Sequence, residues 1–514
     1  MTRTVVIGLD GCSWNVLEPL LESGRLPFLA GLRERGASGV LESTVPFYTG
    51  PAWASFATGS SPAAHGVYDF MMLRADGRLS VANQSDLRRP TYYQQLGREG
   101  RRSVLINLPL DQDGCEGAVI VNSWLTDDDA RRILPFGRRE RYRWLLESYR
   151  TFPRNPADIN ELCELEQARF DLARELFLAE DWDHFFCLFS STDWAGHQLT
   201  GQFLQGDESA RTALLRLYTQ LDQHVGWLIE HAPDATVTVM SDHGQCEETI
   251  VLRVNTVLDR LGLVSLDESV TDGESPFFVD RRTRTQVKLP TPVGRLRTNP
   301  LLRPAGLLAR RVLAQKLGVA LVARSPRLDR TASQAFMPTD ASFAVYASEP
   351  EAADLARRAL EELTLPDGSP AVDSVWTVEE LYGRAAGEFP PTLLFSPALG
   401  VRPSAALKSP EVFVRSSPGR GCHQRDGLML LDGDGVVPGD FGRASICDVA
   451  PTLLWTMEAG VAADGDGRVL YELFDQEFSS ERLLREVEPI TPQVETANGD
   501  SPEVTRRLKA LGYI

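Results

Sequence analysis

The sequence predicts an α/β protein with a central, mainly parallel sheet and helices on both faces. Three observations lead there. Short runs rich in Val, Ile, Leu and Phe, without polar alternation, end abruptly in polar residues, as strands buried on both faces do. Apolar residues at helical spacing lie between those runs, so strand and helix alternate. The 514 residues, 43% hydrophobic and 24% charged, are enough to bury a large core.

In chain order, Thr4–Leu9 runs into Asp10, and a helical pattern extends from Leu17 through Arg35. Ser103–Ile106 precedes Asn107, and Ala168–Glu180 reads as a helix before the strand His184–Phe189 and Ser190. Thr212–His231 is helical, and Thr236–Met240 leads into Ser241-Asp242-His243. Polar residues just beyond the carboxyl ends of such strands converge on one crevice, which places Asp10, Asp193 and Asp242 together. After Leu263 the character changes. Between Arg281 and Arg330 stand thirteen basic residues against one acid, Asp329. Strand and helix patterns then resume at Ser342–Tyr346, Ala353–Leu363, Pro391–Phe395, Gly427–Leu431 and Asp448–Met457, the last with Asp448 as N-cap and Pro451 in its first turn. The expected division is 1–262 as the first part of the core, 263–334 as a basic insertion or cap, 335–480 as the second part, and 481–514 as a tail. That tail ends in a short helix stopped by Gly512.

The net charge of −18 argues against stable binding to nucleic acid. Seven scattered cysteines form no Cys-x-x-Cys pair and are odd in number, which fits a reducing cytoplasm. No run reaches the roughly 18 apolar residues of a membrane helix, and a secretory signal is not expected either.

Only seven histidines are present, and three keep acidic or glycine-rich company: His197 in Asp193-Trp-Ala-Gly-His197, His243 in Ser241-Asp242-His243-Gly244, and His423 after Gly421-Cys422 in an expected loop. Asp and His four apart share one side of a starting helix. Adjacent Asp242 and His243 can both face a metal where Gly244 lets the backbone turn sharply. Carboxylate oxygen with imidazole nitrogen suits zinc, with manganese as the alternative. His184, His224 and His231 have no paired acid and receive no role. Thr49 precedes a helix with Pro51 in its first turn. It either caps that helix or presents its hydroxyl to a phosphate held at the positive helix end.

Together these segments, with Thr49-Gly-Pro-Ala-Trp, Thr58-Gly-Ser-Ser-Pro-Ala-Ala-His65-Gly, Ala335-Phe-Met-Pro-Thr and Asp448-Val-Ala-Pro-Thr-Leu-Leu, occur in an order that resembles the type I phosphodiesterase/nucleotide pyrophosphatase family of the alkaline phosphatase superfamily, in its predicted bacterial phosphodiesterase group. The resemblance implies an alkaline-phosphatase-like sandwich and a two-zinc site. One ion would sit among Asp193, His197 and His423, the other among Asp10, Thr49, Asp242 and His243. Thr49 would be the nucleophile, and two metals would hold the attacking and leaving oxygens of an in-line displacement. The implied activity is metal-dependent hydrolysis of phosphodiester or pyrophosphate bonds in a small phosphate ester, nucleotide-like substrates included. Phosphomonoester or phosphonate-ester hydrolysis, phosphoryl transfer and a non-catalytic binding role are the alternatives. The Cys/Ser-x-Pro-x-Arg motif of sulfatases is absent.

The chain departs from the better-known nucleotide pyrophosphatases in two places. Their nucleophile is followed by Phe-Pro-Asn, where Gly50-Pro51-Ala52 stands here, and an Asn that holds a phosphate oxygen aligns near Phe70. Asn107, at a strand end, is a candidate replacement donor, or else it caps its own loop. The basic insertion reads as a solvated surface segment, as a lid whose Arg310 and Arg311 attract polyanionic substrates, or as a membrane-surface helix with Leu307, Leu308, Val312, Leu313, Leu317 and Leu321 as its apolar stripe.

Overall fold

The computed structural model describes residues 2–110, 114–126, 132–267, 278–280, 286–287, 319–321, 327–384, 389–407, 411–488 and 502–511. Nine strands among these form one sheet: β1 Arg3–Leu9, β2 Ala37–Glu42, β3 Ser103–Ile106, β4 Ala118–Val121, β5 Ile133–Leu134, β6 His184–Phe189, β7 Ala235–Met240, β8 Asp426–Asp432 and β9 Gly439–Ser445. Their order across the sheet is β9-β2-β8-β7-β1-β6-β3-β4-β5. The five strands β7-β1-β6-β3-β4 are parallel neighbours, whereas β8 runs antiparallel to both β2 and β7, and β5 antiparallel to β4. The expected α/β class is therefore correct.

Uniformly apolar strands serve both faces of this sheet. In β1, Val5, Ile7 and Leu9 join the larger apolar cluster, and Val6 joins the cluster on the other side with Trp53, Phe56 and Phe186. Helices cover each face, including Ile159–Ala179 and Glu208–Glu230 on the first and Thr49–Thr58 and Val449–Thr456 on the second. The single helical pattern expected from Leu17 to Arg35 is two helices, Trp14–Leu21 and Pro27–Arg35. Gly24 between them adopts a left-handed φ of 69°, and Pro27 can only begin a helix.

Beyond the main sheet, Ile250–Arg253 lies between Val401–Ser404 and Phe413–Arg415 in a three-stranded sheet. A four-stranded sheet with the helix Pro350–Glu361 follows the insertion in sequence. At the insertion's base, Leu266–Asp267 pairs antiparallel with Arg327–Leu328, and the Gln334 N–H donates to the Leu263 carbonyl at 2.8 Å. The chain thus leaves and rejoins the core through adjacent segments. Arg310, Arg311 and the stripe from Leu307 to Leu317 lie outside the described residues, whereas Leu321, expected on the same helix, ends a strand, Val319–Leu321, that pairs with Phe278–Asp280. The C-terminal helix spans Pro502–Leu511, with Val504 and Leu508 buried and Arg507 donating to the carbonyls of Trp124 and Thr126. Among the described residues, no helix is long and apolar enough to cross a membrane.

Candidate active site

Topology assembles the site. β7, β1 and β6 are neighbours, so Asp10 after β1, the helix Ser191–Leu204 after β6, and Asp242-His243 after β7 emerge side by side at the carboxyl ends of these central strands. Because β8 runs the other way, its beginning reaches the same end of the sheet and brings His423. β2 ends there too, and Thr49 follows it. The structure brings seven predicted residues together in two groups: Asp193 with His197 and His423, and Asp10 with Asp242 and His243, the second touching Thr49. His423 lies on the strand Gly421–Gln424, paired with Gly244–Glu247, rather than in a loop. Gly244 does not supply a turn. A Cβ there would sit 2.0 Å from the Asp426 carbonyl oxygen, so close strand approach is what requires glycine.

Proton placement tests whether these residues fit a metal. The Nδ1 atoms of His197, His243 and His423 lie 3.2, 3.2 and 3.3 Å from the carbonyl oxygens of Gly421, Gly244 and Phe47. A carbonyl only accepts, so each Nδ1 carries hydrogen and each Nε2 presents a lone pair to the site. Yet His423 Nε2 stands 3.0 Å from His197 Nε2 and 3.2 Å from Asp193 Oδ1, while His243 Nε2 is 3.3 Å from Asp242 Oδ2. Asp242 Oδ2 has no hydrogen-bond partner among the described residues, and all these side chains are buried. Acceptors facing acceptors in a buried space call for a cation between them. Protonated imidazoles are a poor substitute, because burial pushes His197 and His243 down to about 4. Burial and the neighbouring carboxylates push Asp10 well above the usual carboxylate range, and burial brings Asp242 up to about 7. The N–H···O=C bonds behind each imidazole are the kind that orient metal-bound histidines. The donor set fits two ions of zinc type.

Thr49 opens the helix Thr49–Thr58, and its N-cap is Tyr48. Its hydroxyl makes no capping bond. Instead Oγ1 lies 3.4 Å from both Asp10 Oδ1 and His243 Nε2. In the first turn its N–H and that of Gly50 have no intrahelical acceptor, and Pro51 has no N–H at all. Phe70 packs against Gly50 and edge-on to Tyr48, giving this side an apolar wall.

Asn107 does not meet the expectation of a phosphate donor. Its Nδ2 donates both hydrogens, to the Leu188 carbonyl and to Ser190 Oγ at 2.9 Å each, which secures the loop after β3. His65, in the sequence segment following the helix, is structural: it accepts from the Val67 N–H and bonds Ser55 Oγ. Three supports escaped sequence reasoning. Gln245 Nε2 donates to Asp193 Oδ1 at 2.7 Å while Thr200 donates to its Oε1. A Cβ on Gly196 would fall 1.8 Å from that Oε1, so glycine makes room for the contact. The Gly11 N–H donates to Asp242 Oδ1, and the fully buried pair Glu166–Arg169 holds the Ser191 N–H at the start of the Asp193 helix. Gln245 sits two residues past His243 on a strand, the one local signal available.

Solved hydrolase structures share this fold. The structure matches phosphonoacetate hydrolase from Sinorhizobium meliloti 1021 in complex with phosphonoformate with a TM-score of 0.56 and 16% identity, covering 87% of this chain and 94% of that one. Murine ectonucleotide pyrophosphatase/phosphodiesterase 5 gives 0.52 and 13%, covering 92% and 100%. The human protein of the same name gives 0.53 and 12% over the same shares. Residues 4–299 match the type I phosphodiesterase/nucleotide pyrophosphatase family profile, and the chain belongs to that family of hydrolases.

Proposed function

We propose that this enzyme hydrolyses phosphodiester or pyrophosphate bonds in a small phosphate ester, with Thr49 as nucleophile. The observation that carries the reading is the Thr49 hydroxyl, which is free of any capping bond and lies between Asp10 and His243. Asp193, His197 and His423 would hold one zinc-type ion, and Asp10, Asp242 and His243 with Thr49 the other. Such ions, when bound, supply Lewis-acid neutralisation of phosphoryl and alkoxide oxygens. Thr49 Oγ1 attacks phosphorus, the P–O bond to the leaving group breaks, and water later hydrolyses the phosphothreonine ester. The Oγ1 hydroxyl donates toward Asp10 Oδ1, an oxygen that keeps a second lone pair when an ion is held, whereas His243 Nε2 has only the one lone pair it would give to that ion. The N–H groups of Thr49 and Gly50 bind phosphate oxygens at the positive end of their helix. Phe70 and Tyr48 exclude water from one side.

Two facts from the relatives support this reading. The murine protein is reported inactive as a threonine-to-alanine variant, in a complex with AMP. The Sinorhizobium enzyme is reported with phosphonoacetate as well as phosphonoformate. Seven cysteines, all free, suit a reducing cytoplasmic setting. The division at 263 and 334 is retained as a cap inserted on its paired stem.

Metal analysis should find about two zinc-type ions per chain, with activity lost on chelation and restored on re-addition. Thr49→Ala should lower kcat by roughly 10³-fold or more. It should keep its metal and lose only about 1 kcal/mol of stability, one buried methyl group's worth. Bis(p-nitrophenyl) phosphate should be cleaved faster than p-nitrophenyl phosphate. Undiminished turnover by Thr49→Ala would remove the covalent mechanism.

A further inference from the structure

A cavity of about 350 Å³ opens beside the site, bounded on that side by Tyr48 and His197. Its floor follows from strand register. In the three-stranded sheet, Val251 lies opposite Arg402 and Val414, and Arg253 opposite Ser404, so the pleat turns all five to one face. All five line the cavity, together with Arg415, Arg420 and Leu511 of the C-terminal helix. Four guanidinium groups therefore meet two carboxylates, Glu248 and Asp340, in a chain whose net charge is −18.

Those carboxylates are already engaged. Arg402 Nε donates to Glu248 Oε2 at 2.9 Å, and its Nη1 lies 3.5 Å from Asp340 Oδ2. Glu248 Oε1 also accepts from Ser416 Oγ. The pair fixes the Arg402 guanidinium in place. Arg253 and Arg415 have no acidic partner among the described residues, and Arg420 adjoins Gly421, whose carbonyl orients His197. Arg253 and Arg415 thus face the cavity with no described acid to neutralise them, and guanidinium groups are forked donors suited to a second oxyanion.

We infer that this cavity is a subsite for a second, non-reacting anionic group of the substrate, a phosphate or carboxylate carried on the ester arm that remains beside Tyr48 and His197. The inference rests on the phosphodiesterase reading and narrows it to esters bearing an extra negative charge. The volume suits a short charged arm of this kind.

Two matched diesters test it: p-nitrophenyl ethyl phosphate and p-nitrophenyl 2-phosphoethyl phosphate. They share a leaving group and differ by one added phosphate. The ratio of their kcat/KM values should favour the phosphoethyl ester by about tenfold or more, and Arg253→Ala/Arg415→Ala should bring the ratio close to one. The 2-carboxyethyl ester should fall between them, separating a phosphate-selective subsite from a general anion subsite. An independent readout is calorimetric titration of chelator-treated protein with inorganic phosphate, where binding should be present in the wild type and lost in the double variant. A wild-type ratio near one, a ratio unmoved by the double variant, or phosphate binding indifferent to it would overturn the inference. If no p-nitrophenyl diester is cleaved at all, the phosphodiesterase reading falls, and the phosphate titration still decides the subsite.

Discussion

Two charged regions meet at Tyr48 and His197, and they are built in opposite ways. The floor of the site gathers buried carboxylates and imidazole lone pairs, whereas the neighbouring three-stranded sheet gathers arginines with too few acids. Most of the floor stands on parallel strands that end together, with Asp10, Asp193 and Asp242-His243 in short segments after β1, β6 and β7, while His423 arrives just before the antiparallel β8. Of the arginines, Arg253 and Arg402 come from strands far apart in sequence that register turns to one face, while Arg415 and Arg420 reach the cavity from the end of a strand and the loop beyond it. An acceptor-rich floor demands ions and a donor-rich rim demands anions, and a phosphate ester carrying extra charge satisfies both.

The largest effect expected on the floor's framework is at Glu166. Both members of the Glu166–Arg169 pair are fully buried, and Glu166 also receives the Ser191 N–H at 2.8 Å. Glu166→Ala leaves Arg169 charged and unpaired in the core, and should lower unfolding free energy by about 3–5 kcal/mol. The exposed pair Arg468–Glu472 is the control, and breaking it should cost less than about 1 kcal/mol. Equal losses in urea titrations would show that the floor is not braced by its buried pair. A smaller effect is expected at Gly196. An alanine there pushes against Gln245 Oε1 and loosens the Gln245 bond to Asp193. Metal affinity should weaken by roughly 10–100-fold, the range for lost supporting bonds behind a ligand. Competition with a chromogenic chelator reads this directly, and unchanged affinity would separate Gln245 from the metal group.

The contrast between floor and rim also explains what the sequence could disclose. Asp10, Asp242-His243 and Asp193-x-x-x-His197 are readable because a parallel sheet converts position after a strand into position in a crevice. β3 and β6 were delimited correctly for the same reason, since uninterrupted apolar runs are unambiguous when both faces are buried. Edge strand β9, Gly439–Ser445, is largely exposed and polar, and no periodicity announces it. Thr49 could be either a cap or a nucleophile until Tyr48 was found in the cap position. Charge density marks the insertion, where thirteen basic residues crowd one stretch of sequence. Arg253, Arg402, Arg415 and Arg420 are dispersed, and only the folded chain makes them a group. The Glu166–Ser191 bond is hidden likewise, because a helix and the start of the next helix meet only after folding.

The smallest predicted effect sharpens the comparison by removing a confounder. Acid should destabilise the floor by protonating metal ligands, yet part of the sensitivity belongs to His65, which lies outside both metal groups. Its Nδ1 accepts from the Val67 N–H at 3.1 Å, so Nε2 carries the ring hydrogen and bonds Ser55 Oγ at 2.9 Å on the Thr49 helix. A protonated ring would set N–H against N–H, and burial alone lowers this histidine to about 3. Because the folded value lies below the unfolded one, near 6.5, the folded state binds fewer protons. Its stabilising contribution is complete above about pH 6.5 and is lost as pH falls toward about 3. At pH 5.5 the loss should be about 1.4 kcal/mol, one logarithmic unit of differential protonation. His65→Gln in chelator-treated protein should therefore show a shallower fall of unfolding free energy between pH 7 and 5.5 than the wild type under the same treatment. Parallel curves would assign the acid response to the metal-ligating groups and to the buried His184 and His224, and leave His65 a spectator.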